Sequence, residues 1–155
     1  MPFDNPTLII TDASCLIILD NIGYLDILPK LFDTVVTTPE IAAEYGKAIP
    51  QWLILIKVNN VRLQSEFAQM VDPGEASAIA LAHEITYDYL VTDDLQARKL
   101  SIKLGLHVVG TLGLLLKAKQ IGVITLLKPV LEQMKQTDFR VTQTLIEAIL
   151  RSAGE

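Results

Sequence analysis

Short β-branched runs that end in acidic residues, separated by helical stretches, set the fold this chain can adopt. Thr7-Leu-Ile-Ile-Thr11 runs straight into Asp12, and Tyr89-Leu-Val-Thr92 runs into Asp93-Asp94. Apolar runs this short read as strands buried on both faces, as in a parallel sheet. Thr34 to Thr37 and His107 to Val109 are of the same kind, and Trp52 to Val58 is strand-like but ambiguous. Helical patterns fill the gaps. Ser14 is placed to cap Cys15–Leu19, Gly23 interrupts, and Tyr24–Leu31 resumes as a second helix. Thr38-Pro39-Glu40 supplies a cap, a first-position proline and an acid at the positive end of the dipole, for a helix running to about Gly46. Asp72-Pro73-Gly74-Glu75 opens an alanine-rich helix to His83. Leu95–Leu104 stops at Gly105, Leu112–Lys119 stops at Gly122, and Ile124–Lys135 and Thr142–Arg151 are amphipathic. Alternation of this kind predicts an α/β fold: a parallel sheet of four to five strands with helices on both faces. No repeat, low-complexity tract or linker divides the chain, so residues 1–155 read as one domain.

Composition narrows the class. Half the residues are apolar, 20% are charged and the mean hydropathy is +0.38, which excludes a disordered chain. The longest unbroken apolar runs, such as Trp52–Ile56, fall far short of the ~20 residues of a membrane-spanning helix. Asp4 stands where a secretory leader would be basic, and the lone Cys15 cannot form an internal disulfide or a multi-cysteine zinc site. A cytoplasmic location and no membrane partner are expected.

The chemistry concentrates on carboxylates. In an open parallel sheet, ligands bind at the carboxyl ends of the strands near a switch point, which places Asp12 and Asp93-Asp94 close together. Glu75 shares a helical face with Ala78, Ile79 and Ala82. An inward carboxylate is costly without a proton, a cation or a metal. Two readings of Glu75 stand open: a site residue, or the third position of a capping box led by Asp72. Glu44 shares a face with Ile41 and Ala48, whereas Glu40, one turn earlier, faces the helix dipole. Carboxylates with no cysteine and almost no histidine suit Mg²⁺ or Mn²⁺. Phosphate-binding P-loop and G-x-S-x-G patterns are absent. His83 and His107 read as structural, and Cys15 as a small core hydrophobe. Ser14, two residues after Asp12, replaces the second aspartate that an aspartyl-phosphate phosphatase needs.

Ile10-Thr-Asp12-Ala-Ser14, Thr38-Pro39-Glu40-Ile-Ala-Ala-Glu44, Gly74-Glu75-Ala-Ser-Ala-Ile-Ala-Leu-Ala82 and Val91-Thr-Asp93-Asp94-Leu-Gln-Ala-Arg98 occur in order, followed by Gly105-Leu106 and Val109-Gly-Thr-Leu-Gly113. Together these segments resemble the PIN domain, and especially its branch of VapC-like toxin nucleases. The resemblance covers nearly the whole chain. It implies a PIN-like fold and a metal-dependent endoribonuclease whose products carry 5′-phosphate and 3′-hydroxyl ends. Asp12, Glu75 and Asp94 would hold one Mg²⁺ or Mn²⁺. Glu44 and Asp93 would bind a second ion or orient water, and Ser14 and Thr92 would support the acids by hydrogen bonds. The branch has Asp-Asp where many relatives have Asn-Asp, so the direct ligand is either Asp93 or Asp94. The resemblance also implies a homodimer held by a small antitoxin whose tail fills the acidic groove. Ile18, Tyr24 and Leu28 suit such an interface or a packed core equally.

Other functions share parts of this pattern. One is a PIN-like RNA-processing or nucleic-acid-binding protein outside toxin–antitoxin systems, including a form that binds without cutting. Another is a phospho-receiver-like domain, although that class wants its acidic pair after the first strand. The charge distribution bears on the partner. Residues 1–94 carry fourteen acidic and four basic side chains, a net of −10, and residues 95–155 carry four acidic and nine basic, a net of +5. The overall −5 therefore does not exclude RNA. Arg98, Lys99, Lys103, Lys117, Lys119 and Lys128 are expected to form a phosphate-facing rim rather than ordinary solvated helix faces.

Overall fold

A computed structural model describes residues 7–155; Asp4 lies outside the described residues. Five strands form one sheet, β1 (Leu8–Ile10), β2 (Thr34–Thr37), β3 (Leu53–Leu55), β4 (Tyr89–Val91) and β5 (Val108–Val109). All neighbours are parallel and the order is β3-β2-β1-β4-β5. The chain builds outward from β1 in one direction, then returns to its other side with β4. The switch point therefore lies where β1 and β4 end side by side, with Ile10 paired to Leu90. A phospho-receiver has the order 2-1-3-4-5, so the topology excludes that reading.

Nine helices flank the sheet among the described residues: α1 (Ala13–Asn21), α2 (Ile27–Leu31), α3 (Pro39–Tyr45), α4 (Val61–Phe67), α5 (Pro73–Ala82), α6 (Leu95–Lys103), α7 (Thr111–Gln120), α8 (Lys128–Lys135) and α9 (Gln143–Ser152). The core joins strand residues Ile9, Ile10, Val35, Val36, Leu90 and Val91 to Leu16, Leu19, Leu28, Ile41, Leu114 and Leu115. Ile18 and Leu28 belong to this core, and Tyr24 packs against it. Helix α5 is buried on every side from Gly74 to Ala82, which explains its alanine-rich, non-amphipathic composition.

Local departures from the sequence reading have physical causes. Helix α1 is capped by Asp12, whose carboxylate accepts from Cys15 N at 2.9 Å, so Ser14 lies inside the first turn and is not the cap. Tyr24–Asp26 forms a turn, with Ile27 N bonded to Tyr24 O, and α2 starts only at Ile27. Helix α4 has no clear sequence signature. It is capped by Asn60, and the amides of Asn59 and Asn60 are taken up by the distant Glu84 carboxylate. Helix α8 starts at Lys128 rather than Ile124, with Pro129 in its first turn. The Glu155 carboxylate accepts from the amides of Leu127 and Lys128, filling the place of a side-chain cap. No helix among the described residues is long and apolar enough to cross a membrane.

Candidate metal centre and nucleic-acid site

Every acid of interest hangs from the carboxyl edge of the sheet. Asp12 follows β1 and Asp93-Asp94 follow β4, while α3 and α5 bring Glu44 and Glu75 over the same edge. Glu44, Asp72, Glu75, Asp93 and Asp94 line one cavity of about 440 Å³. Ser14, Ile17 and Ile18 of α1, and Asp138, Phe139 and Arg140 between α8 and α9, complete its wall. Asp12 is only 1% exposed and lies beneath this wall. Its Oδ2 accepts from Asp93 N at 3.3 Å, which ties the ends of β1 and β4 together.

Each acid is held differently. Glu75, 8% exposed, accepts from Thr92 Oγ1 at 3.0 Å. Asp72 caps α5 through Glu75 N at 2.9 Å, but among the described residues the Glu75 carboxylate does not return to Asp72 N. The capping box is thus half-formed, and the Glu75 side chain is directed to the cavity and to Thr92 instead. Asp93 accepts at both oxygens from Thr111, from the amide at 2.9 Å and from the hydroxyl at 2.5 Å. Asp94 caps α6 with Oδ2, at 2.8 Å from Ala97 N, while Oδ1 makes no hydrogen bond among the described residues. Of the pair, Asp94 keeps the freer oxygen.

Two glycines let carboxylates approach the backbone. A Cβ at Gly74 would stand 2.1 Å from Glu44 Oε1, and one at Gly110 would stand 3.0 Å from Asp93 Oδ1. Behind the acids, buried hydroxyls stiffen the sheet edge. Thr37 Oγ1 donates to Thr11 O at 2.8 Å, Thr38 Oγ1 meets Ser77 Oγ at 2.6 Å, and Ser77 Oγ donates to Gly74 O at 2.7 Å.

Burial and crowding make this cluster electrostatically strained. Burial pushes Asp12 well above the usual carboxylate range, and the charges of Glu75 and Asp93 push it further. Burial lifts Glu75 to about 7 against the pull of the Thr92 hydroxyl, with Asp72, Asp94 and Glu44 adding to the rise. Glu44 is raised by burial and by Asp72. Asp93 is raised by burial, although Thr111 and Arg98 both favour its ionised form. No lysine or arginine pairs with Asp12 or Glu75 among the described residues.

Oxygen-only, anionic and partly buried donors fit a hard divalent cation, which would relieve the crowding that raises these pKa values. Among the described residues, no three His, Cys, Asp or Glu side chains stand close enough together to hold an ion directly as placed. That spacing is compatible with Mg²⁺, which keeps several of its waters and uses only one or two carboxylates directly.

The basic residues are distributed otherwise than a single rim predicts. Arg98 turns inward, donating from Nη1 to Thr92 O at 3.1 Å. Lys119 donates to Thr125 O and pairs with Glu155 at 3.3 Å. Lys99, Lys103, Lys117 and Lys128 do not line the cavity. Ser14 lines the cavity but makes no hydrogen bond to the acids among the described residues. Glu40 faces α4, accepting from Gln64 Nε2 at 3.0 Å, away from the acids. Three contributors escape sequence reasoning: Asp72, Thr111 and the Asp138–Arg140 segment. Asp72 carries a signal as a cap, and Thr111 sits in the Gly110–Gly113 turn; nothing in the sequence marks Arg140.

Compared with known families, residues 8–155 match a family model described as a PIN domain. No curated protein matches the chain.

Proposed function

The chain belongs to the PIN domain family, whose members are generally nucleases and typically depend on divalent metal, and from that premise we propose that it is an Mg²⁺- or Mn²⁺-dependent endoribonuclease of the VapC-like branch, the toxin of a type II toxin–antitoxin pair. The observation that carries the reading is the pair of buried acids Asp12 and Glu75, set among Asp93, Asp94 and Glu44 where β1 and β4 end, with no protein cation beside either of the two. Asp12, Glu75 and Asp94 would hold an ion, at least one of them through the ion's bound waters, with Glu44 and Asp93 flanking it. Such an ion lowers the pKa of water and offsets charge gathering on a phosphodiester.

The chain's own residues do the positioning. Thr92 holds Glu75, Thr111 holds Asp93, and the Asp93 amide holds Asp12. Glu44, a flanking group on the cavity wall, would orient a water for attack on phosphorus in line with the leaving 3′-oxygen. RNA as substrate, a small antitoxin seated on the cavity and a homodimer in the cytoplasm belong to the same reading. They rest on the motif resemblance.

The test is incubation of the full chain with structured RNAs in Mn²⁺, with and without chelator. Cleavage to 5′-phosphate ends that stops with chelator is expected. Intact RNA under both conditions overturns the reading. A small basic-tailed protein encoded next to this one should bind the chain and block cleavage. Its failure to do so, with cleavage intact, points to an RNA-processing PIN nuclease instead.

A further inference from the structure

Arg140 is the one basic side chain that lines the acidic cavity among the described residues. It shares that wall with six carboxylates, Glu44, Asp72, Glu75, Asp93, Asp94 and Asp138. Yet the ion pairs of the described residues are formed elsewhere, by Lys47, Arg62 and Lys119. A guanidinium that stays apart from so much negative charge remains free for an anion from outside.

The loop that carries it is anchored. Thr137 Oγ1 donates to Met134 O at 2.6 Å and accepts from Phe139 N at 3.2 Å, and Met134 is fully buried. Phe139 packs partly against the core and leaves the rest of its ring on the cavity wall. Arginine matches a phosphate with parallel N–H donors, and an exposed aromatic face stacks any base.

We infer that Arg140 and Phe139 form the RNA-binding wall of the cavity, with the Arg140 guanidinium on a backbone phosphate and the Phe139 ring under an adjacent base. The inference rests on RNA being the substrate. An anionic cavity repels a polyanion, so a cation on its wall sets where the strand lies and which phosphate reaches the acids. Arg140 and Phe139 touch substrate but exchange no proton with it, so their loss acts on KM and leaves kcat.

The experiment compares the full chain with Arg140→Gln, Arg140→Lys, Phe139→Leu and Lys30→Gln on labelled single-stranded RNA in Mn²⁺. KM and kcat are read over about 50 to 200 mM salt. Lys30 lies in the last turn of α2, before the amino end of β2 and so away from the carboxyl edge of the sheet, and serves as control. Arg140→Gln is expected to raise KM about tenfold with kcat unchanged within about twofold. It should also flatten the salt slope of log KM by about 0.7, as for one single-strand phosphate contact. Arg140→Lys restores the slope. Phe139→Leu raises KM without altering the slope, and Lys30→Gln does neither.

An unchanged KM and slope in Arg140→Gln overturns the inference. So does a lowered KM, which would make Arg140 a plug of the cavity. Fluorescence anisotropy with the same RNA in Ca²⁺ separates this inference from the nuclease reading. Binding weakened by Arg140→Gln without any cleavage by wild type sinks the nuclease reading alone. Absence of RNA binding by wild type sinks both.

Discussion

The Glu44 carboxylate rests against the bare Cα of Gly74, where a Cβ would come to 2.1 Å from Oε1. The Gly74 amide also favours the ionised form of Glu44. Gly74 is the second residue of α5, and in a helix alanine is better than glycine by roughly 0.5–1 kcal/mol. The clash falls on the far end of a flexible side chain, which can swing away at small cost. Gly74→Ala should therefore fold as stably as wild type, within about 1 kcal/mol by denaturant unfolding. It should also cut nuclease activity by the same factor as Glu44→Gln. Equal activity in Gly74→Ala and wild type would show that the place of Glu44 does not matter.

Asp12 and Asp94 double as helix caps, of α1 through Cys15 N and of α6 through Ala97 N. Asparagine caps about as well as aspartate. Asp94→Asn should therefore keep the far-UV CD spectrum and unfold near the wild-type temperature. Asp12→Asn also keeps its cap and the CD spectrum, but its side-chain NH2 then faces the Asp93 amide that Oδ2 accepts from, so it should melt lower than wild type. In both variants cleavage should fall by at least about 100-fold. Full activity of both variants in excess Mn²⁺ removes the metal centre from this edge of the sheet.

Glu75 is raised from an ordinary 4.5 to about 7, chiefly by burial. Between those values the folded chain keeps a proton that the unfolded chain releases. Stability therefore falls as pH rises through this window and stays reduced above it, by on the order of 3 kcal/mol. Glu75→Gln keeps an acceptor for Thr92 and carries no charge. At pH 8 it should melt roughly 5–10 °C above metal-free wild type, and near pH 4 the two should coincide. Adding Mn²⁺ at pH 8 should raise the Tm of wild type and not that of Glu75→Gln. A Tm difference that does not depend on pH would assign the effect to packing.

Much of this site is written locally. Asp12 and Asp93-Asp94 stand out because each follows a strand-like run at once, and the parallel order brings such ends together without any contact having to be known. Glu75 stands out because a carboxylate in an alanine-rich helix has few reasons to be there. What stays hidden depends on partners far along the chain. Helix α4 is short and leans on Glu84 for its amides. Asp72 is a cap by its neighbours and a cavity residue only by tertiary placement. Ser14 and Asp12 compete for one cap, and the carboxylate in extended backbone just before the helix takes it. Arg140 has no motif, since its role comes from where a loop between two late helices lands. Lys119 looks like its neighbouring lysines until Glu155 folds back onto it.

Thr111 is fully buried and gives Asp93 both its amide and its hydroxyl. Both bonds favour ionised Asp93 against the burial that raises it. Thr111→Val keeps the shape and the amide but removes the hydroxyl donor, at a cost of about 1–3 kcal/mol in stability. The Asp93 pKa must then climb further. If the nuclease needs Asp93 ionised, the acid limb of its pH–rate profile moves to higher pH in Thr111→Val, and Thr111→Ser restores it. Lower stability with an unmoved acid limb would make Thr111 a support of the fold alone, and would take Asp93 out of the chemistry.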